Sequence, residues 1–172
     1  MRSINVSVSA TLTAAAVVGG VSMAAPARAY DPAINGTFTA TVIGDWARTR
    51  TVYHQESVVR STWTISSSCT TAEDCGGTVT SDQGWTATLK MTDGLNWYAK
   101  RDIPNWETCP DGTAFPGKDY VYFYPTDPET GINTPGSTAV LAGREQTIGP
   151  SGACGTNLPL SIEQPIRLDR IG

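Results

Sequence analysis

Downstream of residue 35, apolar and polar residues alternate with a period of two along most of the chain. Gly36 to Ile43 sets Phe38, Ala40 and Val42 against Thr37, Thr39 and Thr41, the pattern of a half-buried strand. Val58 to Ser67 places Val59, Trp63 and Ile65 on one face and Val58, Arg60, Thr62 and Thr64 on the other. A short strand near Thr78 to Thr80 follows Gly76-Gly77. Trp85, Ala87, Leu89 and Met91 then alternate with Thr86, Thr88 and Lys90. Thr92-Asp93-Gly94 turns the chain, and Leu95, Trp97 and Ala99 alternate with Asn96, Tyr98 and Lys100, so this region reads as a hairpin about an Asp-Gly turn. Tyr120 to Tyr124 reads as a strand with aromatics on both faces. Thr138 to Leu141 and Glu145 to Ile148 read as one strand bent at Gly143. A last strand runs through Ile162, Ile166 and Leu168 to about Ile171. Pro165, lacking an N–H, requires an edge, a bulge or a seam within it. Pro104 to Lys118 and Pro125 to Ser137 are rich in Pro, Gly, Asp and Thr and read as long loops.

About eight short strands, with no amphipathic helix and no internal repeat, define an all-β chain. Tight turns between successive strands favour an antiparallel meander closing as a roughly eight-stranded barrel; the two long loops keep a two-sheet β-sandwich as the alternative. Gly44-Asp45-Trp46 resembles the Gly-x-Trp of lipocalin-type barrels. That resemblance implies that Arg167 or Arg170, in the last strand, stacks on the Trp46 ring.

The alternation does not extend into the first 29 residues. Arg2, an Ala/Val-rich stretch from Ile4 to Val21, and Ala27-Arg28-Ala29 have the layout of a cleavable secretory signal peptide. The expected organisation is therefore residues 1–29 as leader and 30–172 as a single all-β domain. The residue at the cut is Tyr30 and not a cysteine that could carry a lipid, so release is expected, to the envelope or the outside, rather than anchoring. The mature chain holds 10 basic and 16 acidic side chains, with no Lys/Arg cluster along the sequence; Arg48 with Arg50, Lys100 with Arg101, and Arg167 with Arg170 are the densest points. Nucleic acid and anionic lipid surfaces are poor partners for such an average charge.

Export changes the meaning of the four cysteines. In an oxidising compartment Cys69, Cys75, Cys109 and Cys154 read as disulfides. The short polar segment between Cys69 and Cys75 suits local closure, which leaves Cys109 for Cys154. Paired C-x-x-C spacing is lacking and His54 is the single histidine, so neither a metal nor a cofactor is expected.

Trp63, Trp85 and Trp97 fall on the apolar faces of their strands and belong to the core. Trp46 and Trp106 lie outside the clean alternation and are the candidate ligand-binding residues, aromatic area of the kind a sugar or lipid meets. Ser151 in Gly149-Pro150-Ser151-Gly152 looks like a nucleophile turn, but His54 has no motif around it, and a turn serine is the better account. Asp127 to Asn133 spaces oxygen ligands as a calcium loop would, yet lacks a closing acid and reads as a polar hairpin loop. Asn35-Gly36-Thr37 fits a glycosylation acceptor.

The Ala-rich leader, Ser61 to Cys69 with Cys75, Ser81-Asp82-Gln83-Gly84-Trp85, and Gly149 to Cys154 running into Leu158-Pro159-Leu160 together resemble small secreted proteins of mycobacteria and related actinobacteria. The resemblance implies export and the cysteine framework and carries no catalytic residue. The sequence thus describes a secreted, disulfide-stabilised β module, non-catalytic, that binds a lipid-like or glycan ligand or an envelope partner. The alternative is a carboxylate-based envelope hydrolase of glycosidase type drawing on Glu56, Asp82, Glu107, Asp111, Glu145 or Glu163. Amino-terminal sequencing of protein from culture filtrate is expected to return Tyr30; a chain retaining Met1, or found only in membranes, contradicts the leader assignment.

Overall fold

The structure is a computed structural model that describes residues 31–171; the expected leader, 1–29, lies outside the described residues. Ten strands follow in order: β1 (Gly36–Val42), β2 (Arg48–Thr49), β3 (Val52–Tyr53), β4 (Val59–Thr71), β5 (Asp74–Ser81), β6 (Thr86–Met91), β7 (Trp97–Thr108), β8 (Ala114–Thr126), β9 (Val140–Ile148) and β10 (Ser161–Arg170). Eight of them form a closed antiparallel barrel in the order β1-β4-β5-β6-β7-β8-β9-β10, and β10 returns to pair with β1. The barrel, not the sandwich, is the architecture.

The β2–β3 hairpin is inserted between β1 and β4 and hangs on β10, Arg48 opposite Glu163 and Thr49 opposite Ile162. Its two turn residues, Arg50 and Thr51, both have left-handed backbones, φ 50° and 72°. Such turns normally carry Asn-Gly, so nothing in Arg50-Thr51 announces this hairpin. Pro165 sits where the partner of β10 changes: β1 pairs from Ile166 onward and β2 from Glu163 backward. The missing N–H falls at that seam, and the proline carbonyl accepts from the Ile43 amide at 2.8 Å.

Two expectations need correction. The segment Pro104 to Lys118 is not a loop throughout: β7 and β8 continue as a long hairpin, Ile103 opposite Gly117 and Glu107 opposite Phe115, with a bulge between these pairs. The bulge takes Pro104 and a left-handed Asn105 (φ 53°) out of the regular ladder. Cys109 at the tip is bonded to Cys154, and Cys69 to Cys75 closes the β4–β5 turn. The second correction concerns the lipocalin-like pairing. Trp46 lies in a 3-10 turn (Gly44–Trp46) with its side chain largely exposed, and among the described residues no arginine covers it. Arg170 instead lies 5.3 Å from the centre of the Phe38 ring, opposite it in register, and donates to the carbonyls of Asn35 and Thr138.

Inward positions of all eight barrel strands supply the core. Phe38, Trp63, Ile65, Val79, Leu89, Met91, Trp97, Phe123, Leu141, Ile166 and Leu168 are each no more than 2 % exposed. An eight-stranded barrel is just wide enough for side chains to fill, and here aromatic and aliphatic groups fill it. Close packing makes small residues obligatory at particular places. A Cβ on Gly143 would collide with the Tyr122 carbonyl and the Phe123 Cα on β8, whereas one on Gly76 would meet nothing within 4 Å. Gly143→Ala is expected to destabilise by about 1–3 kcal/mol and Gly76→Ala to stay within about 0.5 kcal/mol, measured by denaturant unfolding; equal effects would mean that the β8–β9 approach is looser than described.

Candidate functional site

One end of the barrel interior is polar. Arg101 on β7, Asp119 on β8, Glu145 and Thr147 on β9, and Gln164 on β10 point inward at neighbouring register positions. The Arg101 Nε donates to Asp119 Oδ2 at 2.6 Å, and its Nη2 to Glu145 Oε1 at 3.3 Å. The Thr147 hydroxyl donates to Asp119 Oδ1 at 3.4 Å. The guanidinium lies 4.1 Å from the Trp85 ring centre, and Trp85 meets Trp63 edge-on at 5.1 Å. Burial pushes the Glu145 carboxyl up to about 8, helped by the charge and hydrogen bond of Asp119 and opposed by Arg101. Glu145 is thus a neutral donor in a buried pair. Trp106 packs beside this end, its ring against Gly117 and Gly149. Trp85 Nε1, Glu107 Oε2 and Gln164 Oε1 are buried there without a partner among the described residues.

This cluster decides how the carboxylates can act. Asp119 and Glu145 are both held by one arginine, and Asp119 is near enough to raise the Glu145 carboxyl. A retaining glycosidase separates its two carboxyl groups by about 5 Å and an inverting one by more, so a glycosidic bond does not fit between these two. Glu56 instead pairs with the exposed His54 at 3.0 Å, and Glu163 with Arg144 at 3.3 Å.

The larger concavities lie on the outer face. Register aligns two adjacent rows across the strands. One runs Thr88, Lys100, Tyr120, Gln146, Glu163, Arg48 from β6 to β2; the other runs Lys90, Tyr98, Tyr122, Arg144 from β6 to β9. Cavities of about 430, 450 and 600 Å³ follow these rows. The first and second share Tyr98 and Lys100; the second and third share Arg144, Gln146 and Glu163. They form one groove. Tyr98 and Tyr122 lie 5.4 Å apart, centre to centre, and Tyr122 and Tyr124 5.7 Å. Burial, then the neighbouring Tyr124 and Tyr98, raise the Tyr122 hydroxyl above its ordinary value, so it stays a neutral donor. At the far end, the Arg50 side chain donates to the carbonyls of Leu158 and Pro159 and ties the β2–β3 hairpin to the loop that walls the groove.

Neither Trp46 nor Trp106, the residues singled out by sequence, lines this groove. Sequence reasoning missed it because its members come from five barrel strands and the inserted hairpin, and only the register brings them together. The signal was present in one place: the outward Lys90, Tyr98 and Lys100 of the β6–β7 hairpin.

No family model and no curated protein matches the chain. Among solved structures it is similar to the sensor domain of M. tuberculosis PknI in its monomer form, with 16 % identity, a TM-score of 0.53, and 87 % of this chain covering 91 % of that one. At that identity the likeness is one of fold.

The buried pair sets a pH dependence. A carboxyl raised in the folded state favours folding in acid and loses that contribution as pH rises from about 4.5 towards about 8. Glu145→Gln, which keeps a neutral side chain throughout, is expected to match the parent near pH 4.5 and to exceed its melting temperature increasingly up to pH 8. A difference that shrinks with rising pH would show that Glu145 is ionised in the fold.

Proposed function

We propose that the protein is an exported, non-catalytic β-barrel that binds a glycan along its outer groove. The observation that carries this reading is the tyrosine row. Tyr98, Tyr120 and Tyr122 line a 450 Å³ concavity together with Lys100, Arg144, Gln146 and Glu163, giving ring faces for sugar rings and hydrogen-bonding groups for hydroxyls. The filled barrel interior argues against a lipid-like ligand held inside, as an eight-stranded lipocalin holds one. Two disulfides and a fold like that of the PknI sensor domain are compatible with work outside the cytoplasm. Trp46 and Trp106 remain a second site in this reading: Trp106 because unpartnered Glu107 Oε2 lies beside it at the barrel end, Trp46 because its ring is exposed.

The test is a panel of oligosaccharides and fatty acids monitored by calorimetry and tryptophan fluorescence. Tyr98→Ala and Tyr122→Ala are expected to weaken glycan binding at least tenfold with little change in melting temperature. Binding lost in Trp106→Ala or Trp46→Ala but kept in the tyrosine variants would move the site to those residues; fatty-acid binding alone would refute the glycan.

A further inference from the structure

Resting on that reading of the groove, we infer that its ligand is an acidic glycan, a polymer bearing carboxylates, bound as an extended chain across β6 to β2. The mature chain is acidic on average, yet Arg48, Arg50, Lys90, Lys100 and Arg144 all line the three joined cavities, five of its ten cationic residues, against the single carboxylate of Glu163. Among the described residues no carboxylate lies within 4 Å of the charged ends of Arg48, Lys90 or Lys100; within the groove only Arg144 is paired, with Glu163. The remaining acids near the groove are engaged elsewhere. Asp102 pairs with Lys118 at 3.1 Å at the margin, and Asp93, beyond Tyr122, accepts from the amides of Leu95 and Asn96.

Lys90 and Lys100, unneutralised on neighbouring strands, repel one another, and an anionic group between them relieves that repulsion. Distance decides why the net charge does not forbid it. Salt screens charge over a Debye length of about 8 Å, so carboxylates on distant parts of the barrel weigh less on a groove ligand than the cations it touches. The spacing is also that of an extended ligand. Lys100 on β7 and Arg48 on β2 stand four strand spacings apart in one row, about 19 Å at about 4.8 Å each. Tyr120, Gln146 and Glu163 lie between them, with Lys100 Nζ 5.2 Å from the Tyr120 ring centre, so the row has a cation at each end and an aromatic face within it. The outward face therefore offers a sugar chain rings to lie on and cations for its acid groups at several points.

The experiment compares oligomers of galacturonate, alginate and hyaluronan with their methyl esters, which keep the sugars and remove the charge. At least one acid oligomer is expected to bind at least tenfold more tightly than its ester, and its affinity to fall with added salt. Lys100→Gln with Arg48→Gln should flatten the salt dependence and reduce acid binding to near the level of the ester, while Tyr122→Ala weakens both. Equal binding of acid and ester overturns the inference and leaves the glycan reading standing. Binding of neither, with binding instead to phosphatidylglycerol vesicles or to nothing in the set up to millimolar concentration, overturns the inference together with the glycan site. Circular dichroism and melting of each variant establish that a lost signal is not lost fold.

Discussion

Closure of the sheet between β1 and β10 is the constraint on which everything else depends. Five residue pairs, from Phe38 opposite Arg170 to Val42 opposite Ile166, join the first strand to the last. Without them β1 and β10 would be free edges, open to pairing with other chains, and the inward residues of eight strands would have no common interior. Closure also fixes register, because a one-residue slip would turn Phe38, Ala40 and Val42 outward and Thr37, Thr39 and Thr41 inward. Arg170 secures the join from within the barrel end by covering the Phe38 ring and reaching back to the carbonyls before β1 and β9. The seam at Pro165 then marks where β1 stops and the short hairpin takes over the same edge of β10.

Much of this architecture was legible in the alternation itself. The strands around Phe38, Trp63, Leu89, Trp97 and Leu168 are half-buried, and a half-buried strand writes its two faces directly into sequence. The hairpin of β2 and β3 was not legible. It is two residues long on each side, exposed on nearly every position, and turned by Arg50-Thr51 rather than Asn-Gly. The β7–β8 extension was hidden for a different reason. Its Pro and Gly content is that of a loop, and only pairing with a partner strand across a bulge, together with the Cys109 to Cys154 bond, makes such a segment extended.

The candidate site was less legible than the fold, and the cause is geometric. Trp46 and Trp106 drew attention because they break a local pattern, but a binding face on a barrel is assembled across strands rather than along them. Arg48, the Lys90–Lys100 hairpin and Arg144 are each separated from the next by about forty residues and become neighbours only through the ladder. The Arg101, Asp119 and Glu145 cluster was equally invisible, since an inward charge within a strand has the same alternating position as an inward leucine. Glu145 stood among many acids with nothing in its spacing to mark it.

The filled interior explains why the outer face is the place to look for function. A side-chain-packed eight-stranded barrel holds no chamber for a large ligand, and its polar end is occupied by an arginine already shared between two carboxyls. Outward positions in an antiparallel sheet are free of the packing requirement, so their composition reflects solvent or a ligand. Threonine satisfies solvent alone, as along the outward face of β1. The outward face of β7, β8 and β9 instead carries Tyr98, Lys100, Tyr120, Tyr122, Tyr124, Arg144 and Gln146, long side chains that lose rotamer freedom when held in a row. Desolvating partly exposed tyrosine rings beside cations contributes little to folding that threonine would not. On the proposed reading, a ligand that covers the rings and matches the charge would supply the missing half of that interaction.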